Sequence, residues 1–170
     1  MKNIILIGFM GCGKTSVGKR LSQALGCEFL DTDELIELEQ QRSIREIFDT
    51  DGEAAFREME TECVKKLLKR QGDGFVLSVG GGLPIRQVNR SLLKELGDVV
   101  LLQVSPDVVY KRLRNDRTRP LLQDKNPMGR ILDLMSARKS YYEEAATHIV
   151  DVNDRDFEEI VKDILHVCGK

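Results

Sequence analysis

The chain has 170 residues, enough for one domain with a substantial core and too few for two full domains, so we expect a single domain over 1–170. Hydrophobic residues make up 41%, charged residues 32%, and the formal net charge is −2, which gives no reason to expect a nucleic-acid or membrane partner. No apolar run approaches the ~20 residues of a membrane span, and the short run after Asn3 is no signal peptide. We therefore expect a cytoplasmic monomer.

Short apolar runs alternate along the chain with longer amphipathic stretches, a pattern typical of an α/β domain with a parallel sheet. The polar, arginine-rich stretch Asn115–Asn126 lacks periodicity and is predicted to be a loop. The predicted strands are Asn3–Ile7, Glu28–Leu30, Phe75–Val79, Asp98–Val104 and Thr147–Val150. The predicted helices are Lys14–Leu25, Asp33–Gln41, a short one from Ser43, Glu53–Arg70, one around Pro84, one from Pro106, Pro127–Tyr142 and Asp156–Val167.

Three of the helix starts carry local signals. Ser43-Ile44-Arg45-Glu46 has the Ser-x-x-Glu form of a capping box. Ser105-Pro106-Asp107 places a capping serine before a proline, and Pro84 suits the first turn of a helix. Helices are therefore predicted to begin at these points.

The stretch Gly8–Thr15 matches the pattern G-x-x-x-x-G-K-[ST] and lies between a predicted strand and a predicted helix. The glycines let backbone N–H groups turn toward an anion, and the helix N-terminus adds partial positive charge. Lys14 can reach the outer phosphates of a nucleotide, and the Thr15 hydroxyl can ligate Mg²⁺. The sequence therefore predicts a nucleotide site in this loop, whose expected residues are Gly11, Cys12, Gly13, Lys14, Thr15 and Ser16.

The chain has four cysteines without C-x-x-C spacing or a nearby histidine pair, so we expect reduced thiols. Cys12 stands out because it lies inside the phosphate loop. A thiol among backbone N–H donors can become open to alkylation or oxidation. This is a hypothesis about vulnerability and not about catalysis.

This chain lacks the motifs of a GTPase, which disfavours that class of protein. The guanine-reading N-K-x-D is absent, since Asn153-Asp154-Arg155-Asp156 lacks the lysine. Asp49-Thr50-Asp51-Gly52 imitates a switch motif but follows a predicted helix instead of a strand. The third predicted strand runs directly into glycine, so an acid elsewhere is expected to support Mg²⁺.

Asp31-Thr32-Asp33 is the candidate for that acid. It follows the second predicted strand, at the sheet edge where parallel α/β folds bind ligands. In an extended stretch the two carboxylates point the same way, so that one assists the metal and the other binds acceptor hydroxyls. The structural alternative is that Asp31 closes a turn and Asp33 caps the next helix. Beside a phosphate loop we favour the functional interpretation.

Gly80-Gly81-Gly82 ends the third predicted strand at the same edge. Three successive glycines favour a close approach of the backbone to a ligand, with N–H groups as donors. A merely flexible loop is the alternative.

The run Lys111–Arg119 holds five basic residues against one acid. Four of the five are arginines, whose forked geometry suits phosphate and carboxylate. Because the run reaches into the predicted loop, we interpret it as a lid over charged ligands, with a solvated basic face as the alternative. Arg57 and Arg138 are isolated on predicted helices, and from the residues alone we predict them to be surface residues.

Taken together, several of these stretches resemble the shikimate kinase family, a branch of the nucleoside-monophosphate-kinase-like proteins. The resemblance covers essentially the whole chain in family order, and GGG with D-T-D and F-R-x-x-E is a specific combination. It implies a three-layer α/β/α P-loop kinase fold with a five-stranded parallel sheet in the order 2-3-1-4-5, a helical substrate-binding region at about 32–60 and a lid at about 111–126. The matching stretches are GFMGCGKTSVGKRL, FLDTDELIE, SIREIFDTDGEAAFREME, LSVGGG, RTRPLL and MSARKSYY.

The resemblance also implies ATP-dependent phosphorylation of shikimate to shikimate 3-phosphate, with Mg²⁺ as cofactor. Lys14, Asp33 and Arg119 are then the expected catalytic residues, and Thr15 and Asp31 the expected metal-binding residues.

Further roles follow for residues at the two ends of the site. Glu60, one helical turn after Arg57, is expected to orient that arginine. The expected shikimate-binding residues are Asp33, Arg57, Gly80, Gly81, Gly82 and Arg138, and the expected ATP contacts outside the loop are Arg112, Arg119, Asn153 and Arg155.

Two alternatives stay open. A related kinase for gluconate or for a nucleoside monophosphate would be expected to lack D-T-D together with GGG. A non-catalytic nucleotide-binding protein would be expected to have lost Lys14, Asp33 or Arg57, and all three are present.

Overall fold

A computed structural model describes residues 1–114 and 125–170, so Arg117, Arg119 and most of the predicted loop lie outside the described residues. The strands are β1 (Asn3–Ile7), β2 (Glu28–Asp31), β3 (Phe75–Ser78), β4 (Gly97–Gln103) and β5 (His148–Asp151). The helices are α1 (Lys14–Leu25), α2 (Thr32–Gln40), α3 (Ile44–Asp51), α4 (Glu53–Leu68), α5 (Gln87–Leu96), α6 (Pro106–Leu113), α7 (Pro127–Ala145) and α8 (Phe157–Val167), with a 3₁₀ helix at Leu83–Ile85.

The five strands form one parallel sheet in the order β2-β3-β1-β4-β5. In its centre Ile5 of β1 is in register with Leu77 of β3 on one side and Val99 of β4 on the other. Helices α1 and α8 pack together on one face, and α5 and α7 pack together on the other. The predicted strand order and the three-layer architecture are confirmed.

The core lies around β1, because both faces of a central parallel strand are covered by helices. Ile4, Ile5, Leu6 and Ile7 are fully buried, which explains why this strand is a continuous apolar run without alternation. On the α1 face, Gly18 lets the helix lie directly on the Phe29 ring, where a Cβ atom would overlap the ring carbons. Within the described ranges, no helix combines the length and the hydropathy needed to cross a membrane.

Two of the three predicted helix starts are confirmed by their caps. The Ser43 hydroxyl accepts from the Glu46 N–H at 3.1 Å, and the Ser105 hydroxyl accepts from the Val108 N–H at 3.5 Å. The prediction around Pro84 is wrong, because this proline lies in the 3₁₀ helix and α5 begins only at Gln87.

The local hydrogen bonds explain why the chain does not continue from Pro84 into an α-helix. The N–H groups of Leu83 and Ile85 donate three residues back, to the carbonyls of Gly80 and Gly82, at 3.1 and 3.2 Å. Arg86 is then extended (φ −77°, ψ 130°), so the backbone leaves the helical conformation before α5 begins, and the Arg90 guanidinium donates to the Pro84 and Ile85 carbonyls at 3.0 and 2.7 Å.

The junction of β2 and α2 also differs from the prediction. Asp31 is the last residue of β2, and its Oδ1 caps α2 by accepting from the N–H groups of Asp33 and Glu34, at 2.9 and 3.3 Å. Asp33 therefore lies in the first turn of α2 and neither caps a helix nor belongs to an extended stretch. The structural alternative put the cap at Asp33, whereas the structure has it two residues earlier, at Asp31.

The remaining differences are small shifts of the element ends. Helix α7 runs on to Ala145, three residues beyond the predicted Tyr142, and α4 ends at Leu68 instead of Arg70. The described parts of the predicted lid are 111–114, at the end of α6 with its cap, and 125–126, where Asn126 caps α7.

Candidate active site

A cavity of about 300 Å³ lies at the carboxyl ends of β1, β2 and β3, where open parallel sheets bind their ligands. It joins the phosphate loop, both aspartates of D-T-D and two residues of the glycine run. Its lining residues are Met10, Gly11, Gly13, Lys14, Thr15, Ser16, Asp31, Asp33, Ser78, Val79, Gly80 and Gly81.

The phosphate loop has the backbone geometry that its sequence predicts. Gly11 and Gly13 have φ angles of +78° and +94°, in the left-handed region that favours glycine, and Gly13 is the N-cap of α1. The Lys14 Nζ donates to the Gly8 carbonyl at 2.6 Å and to the Phe9 carbonyl at 3.3 Å. The loop therefore holds the Lys14 ammonium group near the N-terminus of α1. There, an anion is stabilised by the lysine charge and by the partial positive charge of the helix.

Cys12 lies underneath this loop. Its side chain is turned toward Gly8, where an added Cβ would lie 2.9 Å from the Cys12 Sγ, and the residue is only 1% exposed. The hypothesis that this thiol is open to alkylation or oxidation is not supported, because the loop's own packing shields it from solvent.

Asp33 projects from the first turn of α2 toward the glycine run. A Cβ at Gly80 would lie 2.9 Å from the Asp33 Oδ1. Burial, together with the nearby Asp31 carboxylate, raises the pKa of Asp33 to about 6 against the opposing positive charges of Lys14 and Arg57. Asp33 is thus the point at which the phosphate loop and an arginine of α4 act on one carboxyl group.

The glycine run makes room for side chains. A Cβ at Gly82 would lie 2.5 Å from both terminal nitrogens of Arg57, and a Cβ at Gly81 would lie 3.2 Å from the Arg138 Nη1. The glycine run therefore lies close to two guanidinium groups, and a side chain at either position would push against one of them.

Arg57 is held from its own helix. Its Nη1 donates to Glu60 Oε1 at 2.6 Å, and its Nη2 forms a longer ion pair with Glu53 at 3.4 Å. The predicted contact between Glu60 and Arg57 is present. The Arg57 side chain is 17% exposed, so the prediction of a surface residue is wrong. Helix α4 buries this arginine because Phe56 and Glu60 on either side of it face the core.

Glu60 is itself fully buried, and its second oxygen, Oε2, has no hydrogen-bond partner within the described part of the chain. Burial raises the pKa of Glu60 to about 7, against the opposing charge and hydrogen bond of Arg57. A Cβ at Gly80 would lie 3.1 Å from this oxygen, so the Glu60 and Asp33 carboxyl groups both border the same glycine.

Arg138 enters the cleft from α7. Its guanidinium carbon lies 5.8 Å from the centre of the Phe9 ring in the phosphate loop. Gly81, which Arg138 borders, also approaches the Gly8 carbonyl that binds Lys14, since a Cβ at Gly81 would lie 3.8 Å from that oxygen. The lysine and both arginines therefore lie around the glycine run, which borders the cavity.

Tyr142, one turn further along α7, is a site residue that the sequence argument missed. Its hydroxyl donates to the Gly81 carbonyl at 2.7 Å. The spacing Arg138 to Tyr142 is i, i+4, which places both side chains on one helix face and was the available signal.

The residues expected around the adenine are spread over two elements. Arg112 of α6 donates to the Gly11 carbonyl at 2.9 Å and so reaches the phosphate loop. The Asn153 carboxamide accepts from the Ser105 N–H, and Arg155 donates to the Asp151 carbonyl and pairs with Asp163 at 2.8 Å. The structure brings Arg112 to the loop, whereas Asn153 and Arg155 are engaged with their own surroundings.

Comparison with known proteins decides the family. The family model for shikimate kinase matches residues 10–169. The chain belongs to the shikimate kinase family. Within that family, a shikimate kinase of Bacillus mycoides (strain KBAB4) is 42% identical over 164 residues, which cover 96% of each of the two chains.

Solved structures agree with this family. A shikimate kinase from Acinetobacter baumannii in complex with shikimate is 38% identical with a TM-score of 0.89, covering 98% of this chain and 92% of that one. A gluconokinase from Sinorhizobium meliloti 1021 has a TM-score of 0.60 at 18% identity, covering 99% and 91%. The second likeness shows the fold alone, whereas the first extends to the family.

Proposed function

We propose that this protein transfers the terminal phosphoryl group of ATP to the 3-hydroxyl of shikimate. The observation that carries the proposal is the arrangement of Arg57 and Arg138 around the glycine run that also touches the Lys14 loop. A carboxylated acceptor bound by the two arginines would present its ring to the phosphates across a short distance, as phosphoryl transfer requires.

The acceptor side of the cleft suits shikimate, which carries one carboxylate and three hydroxyls. Guanidinium groups bind a carboxylate with paired hydrogen bonds, which favours Arg57 and Arg138 as the carboxylate clamp. Asp33 and the N–H groups of the glycine run are then available for the hydroxyls.

The phosphate side is supplied by the loop. Its backbone N–H groups, the Lys14 ammonium and the N-terminus of α1 would bind the β- and γ-phosphates and stabilise the charge that develops on the transferring group. Arg119, outside the described residues, remains the proposed contribution of the lid, and Arg112 is proposed to border the nucleotide.

Mg²⁺ is the proposed cofactor. Thr15 and Asp31 line one cavity with Lys14, and within 1–114 and 125–170 no cluster of three or more histidine, cysteine or acidic residues could hold a metal. This donor set fits Mg²⁺, which commonly uses one or two protein groups together with phosphates and water. When bound with ATP, the ion supplies charge neutralisation on the phosphates. Because Asp31 Oδ1 already caps α2, Asp31 would act through water.

Asp33 is proposed to orient the attacking hydroxyl and to assist its deprotonation. With a pKa of about 6 the carboxyl group is mostly ionised at pH 7, so it can accept a hydrogen bond from the hydroxyl. In a loose transition state the proton leaves late, so orientation contributes more than basicity.

The test of substrate is an ADP-release assay with a panel of acceptors. We expect turnover with shikimate and none with gluconate or CMP. Activity on either alternative acceptor without activity on shikimate would overturn the proposal. A non-catalytic protein would show a thermal shift with ATP, but none with shikimate at saturating nucleotide.

The assignment of the two sides is tested by substitution. Asp33→Asn and Arg57→Ala should abolish turnover and leave ATP affinity nearly intact, because both residues belong to the acceptor side. Weak ATP binding by both folded variants would show that they serve the nucleotide instead.

We also propose a cytoplasmic monomer with one domain. Sedimentation equilibrium should then give the chain mass of 19.3 kDa. Twice that mass at micromolar concentration would contradict the monomer, and recovery in a membrane or secreted fraction would contradict the location.

A further inference from the structure

We propose that Tyr142 is a positioning residue for the acceptor site, which holds the Gly81 peptide and the Arg138 guanidinium in the directions that the acceptor's carboxylate requires. The proposal rests on the proposed function, because it assigns Tyr142 to the binding of that acceptor.

The first observation is the hydrogen bond from the phenol to the backbone. Tyr142 is 6% exposed, and its hydroxyl donates to the Gly81 carbonyl at 2.7 Å. Because a trans peptide is planar, fixing this carbonyl also fixes the direction of the Gly82 N–H, which points the opposite way. Within the described part of the chain, no backbone group accepts from the Gly82 N–H.

The second observation is that the contacted peptide joins two glycines, Gly81 and Gly82. A peptide between two glycines reorients at little steric cost, because neither residue has a side chain to resist rotation. A Cβ at Gly81 would crowd the Arg138 guanidinium, and a Cβ at Gly82 would crowd that of Arg57. The orientation of the peptide between them therefore needs an external restraint, and the Tyr142 hydroxyl provides one.

The third observation links the same hydroxyl to Arg138. A Cβ atom added at Gly81 would lie 3.2 Å from the Arg138 Nη1 and 3.6 Å from the Tyr142 Oη. Burial raises the pKa of Tyr142 to about 12, although the charge and a hydrogen bond of Arg138 act to lower it. The phenol thus keeps its proton for the Gly81 carbonyl, and the Arg138 guanidinium lies on the same side of Gly81.

A purely structural role would depend on the ring, which packs in the core and remains in Tyr142→Phe. A positioning role depends on the hydroxyl, which that substitution removes. The neighbouring Tyr141 gives a matched control, because its ring lies 5.1 Å from the Arg90 guanidinium carbon and does not border the glycine run.

The experiment compares the wild type with Tyr142→Phe and Tyr141→Phe in steady-state kinetics and thermal unfolding. We expect Tyr142→Phe to raise KM for shikimate about three- to tenfold, the range for loss of one hydrogen bond. KM for ATP and Tm should change little, and Tyr141→Phe should match the wild type. Unchanged KM for shikimate, or equal rises in both KM values with a lower Tm, would overturn the proposal.

A double-mutant cycle with Arg138→Lys tests whether Tyr142 acts through that arginine. We expect the Tyr142→Phe effect on KM for shikimate to be clearly smaller in the Arg138→Lys background than in the wild type. Effects that multiply independently would overturn the coupling. The two proposals are distinguishable, because a wild-type protein without shikimate turnover refutes the function, whereas an active wild type with an indifferent Tyr142→Phe refutes this inference alone.

Discussion

Replacing Glu60 by glutamine should change the way in which stability depends on pH. Glu60 is fully buried, its Oε1 accepts from Arg57 at 2.6 Å, and its Oε2 finds no hydrogen-bond donor within the described residues. A buried carboxyl group with one oxygen unsatisfied favours the neutral form, which is why its pKa is raised to about 7.

The size of the effect follows from the two pKa values. The ordinary value is 4.5 and the native value about 7, so the native protein binds more protons than the unfolded chain between these pH values. The free energy of unfolding then falls as pH rises through this window and levels off above it. From pH 5 to pH 8 the loss from Glu60 is roughly 2–3 kcal/mol. Glutamine does not titrate and should escape this loss.

The assay is urea unfolding of the wild type and Glu60→Gln at pH 5 and pH 8. We expect the variant's stability relative to the wild type to rise by roughly 2–3 kcal/mol between these pH values. Glu53→Gln is the control, because Glu53 contacts the same arginine but its side chain is 68% exposed, so water screens it. A constant difference between Glu60→Gln and wild type at both pH values would refute the reasoning.

Three further outcomes are expected. Gly82→Ala should weaken shikimate binding and spare ATP binding, because a Cβ would lie 2.5 Å from the Arg57 nitrogens, and equal shikimate affinities by calorimetry would contradict this. Turnover should fall as pH drops through about 6, because Asp33 with a pKa of about 6 becomes protonated and loses its acceptor; a kcat profile that stays flat to pH 5 would speak against that role. Gly18→Ala should lower the free energy of unfolding by about 1–3 kcal/mol, because the new methyl overlaps the Phe29 ring. Denaturant curves that show a more stable variant would contradict this expectation.

Much of the fold could be predicted from local sequence. The run Asn3–Ile7 is apolar at every inward position, and the glycine-rich turn after it leaves few choices for where α1 begins, so both elements were predicted with the observed bounds. The predictions failed where hydrogen bonds from side chains influence the start of a helix. The Arg90 guanidinium binds the Pro84 and Ile85 carbonyls of the 3₁₀ helix, and the Asp31 carboxylate caps α2 in place of Asp33.

The site was predictable only in part, for the same reason. The phosphate loop is contiguous, so its pattern alone predicts its geometry. Arg57 and Arg138 come from helices about eighty residues apart, and periodicity gives each an exposed position. Only the family resemblance implies that the two arginines share a site. Tyr142 belongs to no motif with a known role. Its contact with Gly81 depends on how α7 packs against the end of β3, which is a property of the assembled fold.

The glycine run also limits how this protein can acquire new acceptors. Two guanidinium groups occupy the space in which side chains at Gly81 and Gly82 would otherwise point. Directed evolution by saturation at those positions should therefore return mainly inactive clones, since each new side chain competes with a cation for one volume. Productive libraries would instead vary the helices that deliver the cations, where a shorter or neutral residue at Arg57 or Arg138 opens room for an acceptor of different shape.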